Sequence, residues 1–362
     1  MTNVKKITIL GRGNAGCMSA MHFNFYSDLE IEMRYDSKIA PVPTGQGTTL
    51  DFPEALFRNF QSNYLNNFPH TMKTGIMYEN FSSNSIFHPF SIGRYALHFE
   101  PKQFQDFVCN NLKINFKEID ENVEDYESID SDYIIDCRGT PSNLDNYIEL
   151  VNPLNCALLA TLPKKEKDVF YTRSIAHKHG WCFYIPLPDK VSLGYLFNDN
   201  ITSLKEAETD FKNTFHVEKI NKIFPFKQYV AKEPIIKDRI FLNGNKLFFL
   251  EPLEATAMAT YAQSNRYYFD YMFNKCPKIK TINFIHDYVK KLQDFILWHY
   301  ANGSIYDSDF WSYGKRLWKN HNKENFEKTI HQISKKSFLE EDSMYAQWHG
   351  YSFKNWMEGM SI

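Results

Sequence analysis

The N-terminal pattern of apolar and polar residues predicts a strand, a tight turn and a helix. The apolar run Val4 to Leu10 leads directly into Gly11-Arg12-Gly13-Asn14-Ala15-Gly16, and a helix-compatible segment follows from Cys17 to Phe23. This is a G-x-G-x-x-G motif in the setting that dinucleotide-binding domains require. The first glycine permits the turn, the second lets a pyrophosphate approach the backbone, and the third lets helix and strand pack closely. Phosphates are expected on the N–H groups at the helix start, which makes five residues candidates for nucleotide binding: Gly11, Gly13, Asn14, Ala15 and Gly16.

A second strand and an acidic residue follow at the spacing that such a domain shows. The strand predicted from Leu29 to Tyr35 ends at Asp36, about 20 residues beyond the last glycine of the motif. A carboxylate there can accept a hydrogen bond from a ribose 2′-hydroxyl, although a solvated acid at a strand end is the alternative interpretation. Downstream, the apolar segment Tyr133 to Cys137 predicts a short buried strand of the same sheet, which ends in a turn at Gly139.

The rest of the pattern divides the chain into regions. From Glu254 the sequence becomes Ala-rich and helical, and from Asp287 it predicts helices without an internal repeat. We therefore predict an α/β fold with a discontinuous Rossmann-type domain, an inserted mixed β-sheet region and C-terminal helices. The expected boundaries are 1–40, 130–150 and 240–275 for the nucleotide-binding domain, 41–129 and 151–239 for the inserted region, and 276–362 for the helices.

Composition narrows the class of protein. Hydrophobic residues make up 43% of the chain and charged residues 23%, and the formal net charge is -2, which excludes a disordered chain and does not indicate a nucleic-acid partner. The 6 cysteines show no Cys-x-x-Cys and no zinc-ligand spacing with histidine, so we predict no metal site, reduced thiols and a cytoplasmic location. No apolar run approaches the ~20 residues that cross a bilayer, so neither secretion nor a membrane span is predicted.

Three later segments carry a family resemblance. They are Gly180-Trp181-Cys182-Phe183-Tyr184-Ile185-Pro186, Glu251-Pro252-Leu253-Glu254-Ala255-Thr256, and the short strand Thr71-Met72-Lys73-Thr74-Gly75-Ile76. With the glycine motif, Trp298-His299-Tyr300 and Phe310-Trp311, they stand in the order typical of flavin-dependent halogenases, whose patterns include G-W-x-W-x-I-P, E-P-L-E-S-T and K-x-G-I. The sequence resembles this family, in particular its tryptophan halogenase branch, over residues 7 to 311, and more loosely beyond.

The resemblance implies a cofactor and a reaction. The fold would be the FAD-binding Rossmann-type fold of aromatic hydroxylases, with FAD used as FADH2 that a separate flavin reductase supplies. In the family, reduced flavin and dioxygen form a C4a-hydroperoxide, a halide attacks its distal oxygen, and hypohalous acid passes to a second chamber that holds a small aromatic substrate. A phenol or an indole in an open site is expected here, because tryptophan-specific relatives are longer on the C-terminal side. No oligomeric state is predicted.

Lys73 and Glu254 are the catalytic residues that the resemblance implies. Most lysines are surface charges, and an acid near a helix start often only complements the helix dipole, so each residue also has a plain structural interpretation. At the family position, Lys73 either captures hypohalous acid as a haloamine or, when protonated, polarises it through a hydrogen bond, and the sequence does not choose between the two. Glu254 would stabilise the cationic arenium intermediate and accept the ring proton.

The resemblance also implies binding residues. Thr256 and Ala257, at the N–H end of the predicted helix, match the halide position and leave chloride, bromide and iodide open. Trp181, Phe183, Ile185 and Pro186 match a wall that separates substrate from flavin, although aromatic residues alternating on a strand are most often plain core. Further flavin contacts are expected at Gly45, Gln46, Gly47 and Thr48, in the segment where the family has G-V-G-E-A-T and where its glutamate is absent here. Two other positions, Gly139 and Leu250, are also expected to contact the flavin.

Two alternatives to a halogenase stay open. A flavin-dependent aromatic monooxygenase shares the fold and the peroxyflavin chemistry but needs neither a halide nor a remote lysine. A flavin-binding module without turnover is consistent with the missing glutamate and with Phe183 in place of the second tryptophan. Omission of halide distinguishes the first alternative from a halogenase, because hydroxylation needs none.

Overall fold

The computed structural model describes residues 4–91, 93–112, 115–164, 169–333, 335 and 344–360. Within these residues the strands, in chain order, are β1 Lys6–Leu10, β2 Glu30–Tyr35, β3 Gln46–Gly47, β4 Thr71–Lys73, β5 Gly75–Glu79, β6 Ile86–Pro89, β7 Ala96–Phe99, β8 Phe116–Asp120, β9 Tyr133–Asp136, β10 Tyr147–Glu149, β11 Cys156–Pro163, β12 Thr172–His177, β13 Gly180–Pro186, β14 Lys190–Phe197, β15 Lys222–Pro225, β16 Tyr229–Ala231, β17 Ile235–Ile236, β18 Ile240–Leu242, β19 Phe248–Phe249, β20 Met344–Tyr345 and β21 Trp348–His349.

The helices are numbered in the same way. They are α1 Asn14–Tyr26, α2 Phe52–Phe60, α3 Asn63–Asn67, α4 Pro101–Asn111, α5 Leu204–Phe215, α6 Thr256–Met272, α7 Lys278–Trp298, α8 Asp309–Asn320, α9 Glu324–Ile333 and α10 Gly350–Met360. Short 3₁₀ turns lie at Tyr126–Ser128 and Gly244–Lys246. In the part of the chain that the structure describes, no helix combines the length and the apolarity needed to span a lipid bilayer.

The chain forms two compact units. Unit 1 comprises Met1–His70, Phe99–Leu150 and Tyr229–Val289, and unit 2 comprises Thr71–His98, Val151–Gln228 and Lys290–Ile362. Both units are therefore discontinuous in sequence, and the chain passes from one to the other within α7. The predicted division into cofactor, substrate and helical regions concerns ligand roles, and it stays a prediction.

The sheet of unit 1 is a Rossmann-type sheet. Its strand order is β17-β18-β9-β1-β2-β8, and every pairing is parallel except that of β17 with β18. The central strand β1 is apolar and buried from Ile7 to Leu10, as expected of a parallel strand covered on both faces. The predicted pairing of the Tyr133 strand with β1 is confirmed by the register Ile7↔Tyr133 to Leu10↔Asp136.

The main sheet of unit 2 is mixed. Its order is β15-β11-β14-β13-β12-β5-β6, antiparallel throughout except for β5 and β12. Side chains alternate between its faces. One face, with Cys182 and Tyr195, packs on Phe211 of α5 in a hydrophobic core. The opposite face carries Trp181, Phe183 and their cross-strand neighbours.

Unit 2 also holds a cluster of buried aromatic residues from the C-terminal part of the chain. Trp298, Trp311 and Trp318 are all buried. The Trp311 indole N–H donates to the carbonyl of His177 at 2.7 Å, which satisfies its polar atom inside the unit. These tryptophans thus serve the packing of unit 2 in the structure. The predicted α/β fold with a mixed sheet and C-terminal helices is confirmed.

Candidate active site

The glycine-rich turn after β1 has the geometry that the motif predicts. Gly11 adopts a left-handed φ of 100°, and its N–H donates to the Arg34 carbonyl at 2.8 Å. A Cβ on Gly16 would lie 1.9 Å from the Gly11 carbonyl oxygen, so no side chain fits there. A Cβ on Gly13 would have nothing within 4 Å. The second glycine of the motif therefore leaves its backbone open to a ligand, whereas the third is required by packing.

The start of α1 is suited to an anion. Gly13 is its N-cap, no side chain caps the helix, and the first turn holds no acidic residue. Asn14, Ala15 and Gly16 therefore begin the helix with N–H groups that neither a cap nor a carboxylate satisfies, and the helix dipole favours a phosphate at that point. These features fit the pyrophosphate of a dinucleotide such as FAD.

The two charged residues near this turn have structural partners. Arg12 forms ion pairs with Glu118 at 2.7 Å and Asp106 at 2.9 Å. The Asp36 carboxylate accepts the backbone N–H of Lys38 at 2.9 Å, which closes a turn at the end of β2. The predicted contact of Asp36 with a ribose stays a prediction, alongside the turn role that the structure shows.

A buried polar network behind α1 was not predicted from the sequence. The Asn265 Oδ1 atom accepts hydrogen bonds from the Ser19 hydroxyl and from the Asn243 amide, each at 2.9 Å. The Asn243 Oδ1 atom in turn accepts the N–H of Gly244 at 2.8 Å. The network thus links α1 to α6 and to the 3₁₀ turn Gly244–Lys246. The signal that could have found it is the presence of Ser19 among the small and apolar residues of α1, between Ala15 and Met21.

The other predicted flavin contacts lie in unit 1. Gln46 and Gly47 form the short strand β3, which Gly45 precedes and the fully buried Thr48 follows. Gly139 adopts a φ of 44° shortly after β9, with open space where a Cβ would project. Leu250 is buried directly after β19. The flavin-binding role of these residues stays a prediction.

The Glu251–Glu254 segment forms a buried turn before α6. Glu251 is 0% exposed and Glu254 is 6% exposed, and the N–H of Ala255 donates to the Pro252 carbonyl at 3.0 Å. Because α6 begins only at Thr256 and has no acidic residue in its first turn, neither glutamate is a solvated acid on the helix. A carboxylate held out of water is costly unless it is used or paired.

The start of α6 resembles that of α1 in lacking a side-chain cap. Its N-cap is Ala255, in the left-handed region at φ 53°. Thr256 is 0% exposed, and its Oγ1 atom has no hydrogen-bond partner among the described residues. A buried hydroxyl without a partner, at the N–H end of a helix, is suited to bind an anion. Thr256 and Ala257 thus lie together at a helix start, as predicted.

Lys73 is buried in unit 2. It is the last residue of β4, pairs with Ala96 of β7 and is 2% exposed. Its Nζ atom lies 5.5 Å from the centroid of the Phe90 ring. The alternative that Lys73 is an ordinary surface charge is therefore wrong. A buried lysine is uncommon and often serves chemistry.

His98 lies beside this lysine and was not predicted. It pairs with Thr71 across β4 and β7, is 0% exposed, and its Nε2 atom forms a 2.7 Å hydrogen bond with the Thr172 hydroxyl. Burial, and then the charge of Lys73, hold the pKa of His98 well below its ordinary value. The sequence alone gives no sign of this, because two further strands, β5 and β6, lie between Lys73 and His98 in the chain.

Three of the predicted wall residues lie on one face of the unit 2 sheet, and the fourth, Pro186, is the last residue of β13. Trp181, Phe183 and Ile185 alternate along β13 and are buried, and the Trp181 indole donates to the Tyr300 hydroxyl at 3.0 Å. A Cβ on Gly194 would lie 2.1 Å from the Phe183 ring, so this glycine makes room for the ring. The Pro186 carbonyl accepts the Thr71 hydroxyl at 2.6 Å, which ties β4 to the end of β13.

In the described ranges, no three or more His, Cys, Asp or Glu side chains are grouped so that they could hold a metal ion.

The Rossmann-type sheet of unit 1 and its glycine-rich turn are typical of dinucleotide-binding proteins. The family model described as tryptophan halogenase matches residues 115–362. The chain therefore belongs to the tryptophan halogenase family.

Individual relatives agree with this assignment. The chain is 24% identical over 264 residues to tryptophan 7-halogenase KtzQ of Kutzneria sp. (strain 744), covering 62% of this chain and 49% of the relative. Tryptophan 7-halogenase RebH of Lentzea aerocolonigenes is 23% identical over 263 residues, with the same shares covered. The chain thus spans about half the length of these curated relatives.

Solved structures match over nearly the whole chain. A flavin-dependent halogenase from Xanthomonas campestris superposes with a TM-score of 0.82 at 16% identity, covering 99% of this chain and 89% of the other. A tryptophan 6-halogenase from Streptomyces toxytricini gives a TM-score of 0.81 at 17% identity, covering 98% and 90%. At these identities the likeness shows that the fold is shared.

Proposed function

We propose that the protein is an FADH2-dependent halogenase that oxidises a halide and delivers the resulting hypohalous acid through Lys73 to an electron-rich aromatic substrate. The observation that carries the proposal is the burial of Lys73, at 2% exposure, at the position of the family's lysine motif. Fully buried lysines are uncommon and cluster at functional sites, and delivery of an oxidant is a function that uses such an amine.

The cofactor side of the proposal rests on unit 1. Gly13 and the uncapped start of α1 would hold the pyrophosphate of FAD, with Asp36 toward a ribose. When bound and reduced, FAD supplies with dioxygen the oxidant that converts a halide to hypohalous acid. We propose that a separate flavin reductase provides the reduced cofactor. The strap from Gly45 to Thr48 and the residues Gly139 and Leu250 would complete the flavin site.

The halide would bind at the start of α6. The unpartnered Oγ1 of Thr256 donates a hydrogen bond, and the N–H of Ala257 supplies a second donor at the positive end of the helix. Because both donors are held by backbone already fixed in α6, little ordering is required when an anion binds. Chloride, bromide and iodide all stay open as the halide.

Lys73 would act on the hypohalous acid in one of two ways. If its amine is unprotonated, nitrogen attacks the halogen, an N–X bond forms, and the O–X bond breaks to release water once hydroxide takes up a proton. If it is protonated, the ammonium donates a hydrogen bond to the oxygen and leaves the halogen more electrophilic. Either way the aromatic carbon forms the new C–X bond, and we propose that Glu254 takes the proton which that carbon loses.

The substrate side of the proposal rests on aromatic residues near Lys73. Phe90 lies 5.5 Å from the Lys73 Nζ atom, and the His88 ring packs against Phe90 at 6.5 Å and against the partly exposed Tyr351 at 5.7 Å. Flat side chains of this kind stack a phenol or an indole ring. We propose that this group, together with the Trp181 and Phe183 wall, holds the substrate apart from the flavin.

The experiment that tests the function supplies FADH2 through a flavin reductase, with dioxygen, bromide and a small phenol, and follows products by mass spectrometry. A brominated phenol that disappears when bromide is omitted supports the halogenase. A hydroxylated product that forms without halide would identify a monooxygenase instead. Oxidation of FADH2 with neither product would identify a flavin-binding module without turnover on aromatic compounds.

A variant of Glu254 can be tested in the same assay. Replacing its carboxylate in Glu254→Gln keeps the shape and removes the base, so halogenation is expected to slow by about 10- to 1000-fold. Exposed Glu54 on α2 provides the control, because Glu54→Gln removes a carboxylate from the same unit that pairs only with Arg58 one helical turn away. Equal rates in the two variants would count against the role of Glu254.

A further inference from the structure

Helix α4 holds the side chains on both sides of Gly13. Asp106 of α4 forms an ion pair with Arg12 at 2.9 Å. Gln105, the residue before Asp106, donates its Nε2–H to the Oδ1 atom of Asn14 at 3.1 Å. Arg12 and Asn14 are the residues directly before and after Gly13. The open backbone at Gly13 therefore lies between two side chains that α4 keeps in place.

The hydrogen bond from Gln105 is not needed to build the turn. The N–H of Cys17 donates to the Gly13 carbonyl at 3.0 Å, which starts α1 with a regular helical bond. The side chain of Asn14 does not cap α1. What Gln105 fixes is therefore the orientation of the Asn14 amide at the first position of the helix.

The amide of Asn14 has one end in use and one end available. Its Oδ1 atom accepts from Gln105, whereas its Nδ2 group makes no hydrogen bond within the described residues and keeps some exposure to solvent. Gln105 is 6% exposed, and a buried amide needs a hydrogen-bond partner. The contact with Asn14 meets that need and leaves the Nδ2 donors of Asn14 reachable for a ligand.

This orientation suits a diphosphate. Phosphate oxygens are bound by N–H donors and repelled by the lone pairs of a carbonyl oxygen. The charge of Arg12 is already committed to Glu118 and Asp106, so neutral donors are what the turn can offer to an anion. With Oδ1 held by Gln105, Asn14 adds two N–H donors to the backbone groups at the start of α1. The opposite orientation would place an oxygen there.

We propose that Gln105 is a positioning residue for FAD, which holds the Asn14 amide so that its Nδ2 group donates to the diphosphate of the cofactor. The inference rests on the FAD site of the proposed function. It does not depend on turnover, because the binding of oxidised FAD can be measured without halide or an aromatic substrate.

The test is a titration of the flavin-free protein with FAD, followed by flavin fluorescence. Asn14→Ala should raise the Kd about 10-fold or more, because a hydrogen bond to a charged group is lost. Gln105→Met keeps the length of the side chain and frees the Asn14 amide to rotate, so the Kd should rise about 3- to 10-fold. Gln105→Glu places an acceptor beside Asn14, which turns its Nδ2 group away from the ligand, so the Kd should rise more than in Gln105→Met. An unchanged Kd in both Gln105 variants would overturn the proposal.

A double-mutant cycle separates positioning from a merely structural role. If Gln105 acts through Asn14, then Gln105→Met in an Asn14→Ala background should change the Kd by less than about 2-fold. A structural role predicts the same factor in both backgrounds, since the loss would not pass through the Asn14 amide. Equal factors in the two backgrounds would therefore contradict the positioning role.

A matched control lies on the same helix. Asn110 is exposed on α4, so Asn110→Asp adds a negative charge without reaching Asn14, and the Kd should stay within about 2-fold of wild type. A rise equal to that of Gln105→Glu would show a general effect of charge and would contradict the proposal. If Gln105→Glu fails to fold by circular dichroism, Gln105→Met and the cycle decide.

The outcomes also distinguish this inference from the proposed function. A wild type that binds FAD but forms no bromophenol would refute the proposed function alone, and the cycle would still decide the role of Gln105. A halogenating wild type whose Kd is indifferent to Gln105→Met would refute the positioning role alone. A wild type that does not bind FAD would overturn both.

Discussion

The two candidate regions of this protein are built in different ways. The turn after β1 in unit 1 is built from backbone. Gly11, Gly13 and Gly16 have no side chain, which permits the tight turn, the close packing and an open approach to the backbone, and the start of α1 presents N–H groups. The Lys73 region in unit 2 is built from buried side chains: the Lys73 amine lies 5.5 Å from the Phe90 ring, and His98, which is hydrogen-bonded to Thr172, lies on the same strand face as Lys73. A region built from backbone can be recognised from its sequence motif, whereas a region built from side chains depends on strands that are distant in sequence.

This difference predicts how each region responds to change. In a backbone site an added methyl group is the damaging substitution, because it removes space or an approach. In a side-chain site the removal of one functional group is damaging, because its partners have no substitute. Single substitutions in the two regions test that contrast, from the largest expected effect to the smallest.

The largest effect is expected for Lys73→Ala. Removal of the amine should lower the rate of halogenation at least about 1000-fold, as for other groups that act directly on the reacting atoms, while FAD binding is retained. Flavin fluorescence titration and product analysis measure the two properties. Exposed Lys178 provides the control, and Lys178→Ala should match wild type in both. Loss of FAD binding in Lys73→Ala would show that the two regions are not separable.

The next effect is expected for the glycines of the motif. Gly16→Ala forces a methyl group against the Gly11 carbonyl and should lower the free energy of unfolding by about 3 kcal/mol. Gly13→Ala has room for its methyl group and should leave stability unchanged, but it should raise the Kd for FAD about 10- to 100-fold because the methyl lies where the pyrophosphate approaches. Denaturant unfolding and FAD titration check both. Equal stability of the two variants would contradict the packing role of Gly16.

A smaller effect is expected for Thr256→Val. The variant removes a buried hydroxyl that has no partner in the described chain, so the free energy of unfolding should stay equal or rise. The KM for halide should increase about 10-fold, since one hydrogen bond to an anion is lost. Thr260→Val is the control, because the Thr260 hydroxyl donates to the Thr256 carbonyl within α6 and faces no proposed ligand. A halide KM unchanged in Thr256→Val would remove Thr256 from the halide site.

The smallest effect is expected at the cap of α6. Ala255 has a left-handed backbone, which costs an alanine about 1 kcal/mol, so Ala255→Gly should raise the free energy of unfolding by up to that amount. Ala259→Gly, inside the same helix, should lower it by about 1 kcal/mol. If the cap geometry is right, thermal or denaturant unfolding of the two variants will show changes of opposite sign in the free energy of unfolding. A destabilised Ala255→Gly would contradict it.

The sequence predicted the backbone-built region well because that region is local. The strand, the turn and the helix from Lys6 to Tyr26 follow each other directly, so the G-x-G-x-x-G spacing carries both the fold and the anion site. The burial of Lys73 followed only from a family resemblance. Strand alternation alone could have placed that lysine on either face.

What the sequence did not predict depends on contacts between distant residues. His98 meets Thr172 across 74 residues, and Ser19 meets Asn265 across 246. No local pattern encodes such pairs, because each partner sits in a strand or helix that looks ordinary by itself.

The central claim is that Lys73 transfers the oxidant, while the flavin region makes it. The most direct measurement is a single turnover of wild type and Lys73→Ala with a limiting amount of FADH2, in bromide and dioxygen, with a phenol and a dissolved scavenger of hypobromous acid present together. The account predicts that wild type converts most of the oxidising equivalents into bromophenol, whereas Lys73→Ala forms as much oxidant in total but loses it to the scavenger. Bromophenol formed by Lys73→Ala in the same yield as by wild type would contradict the account.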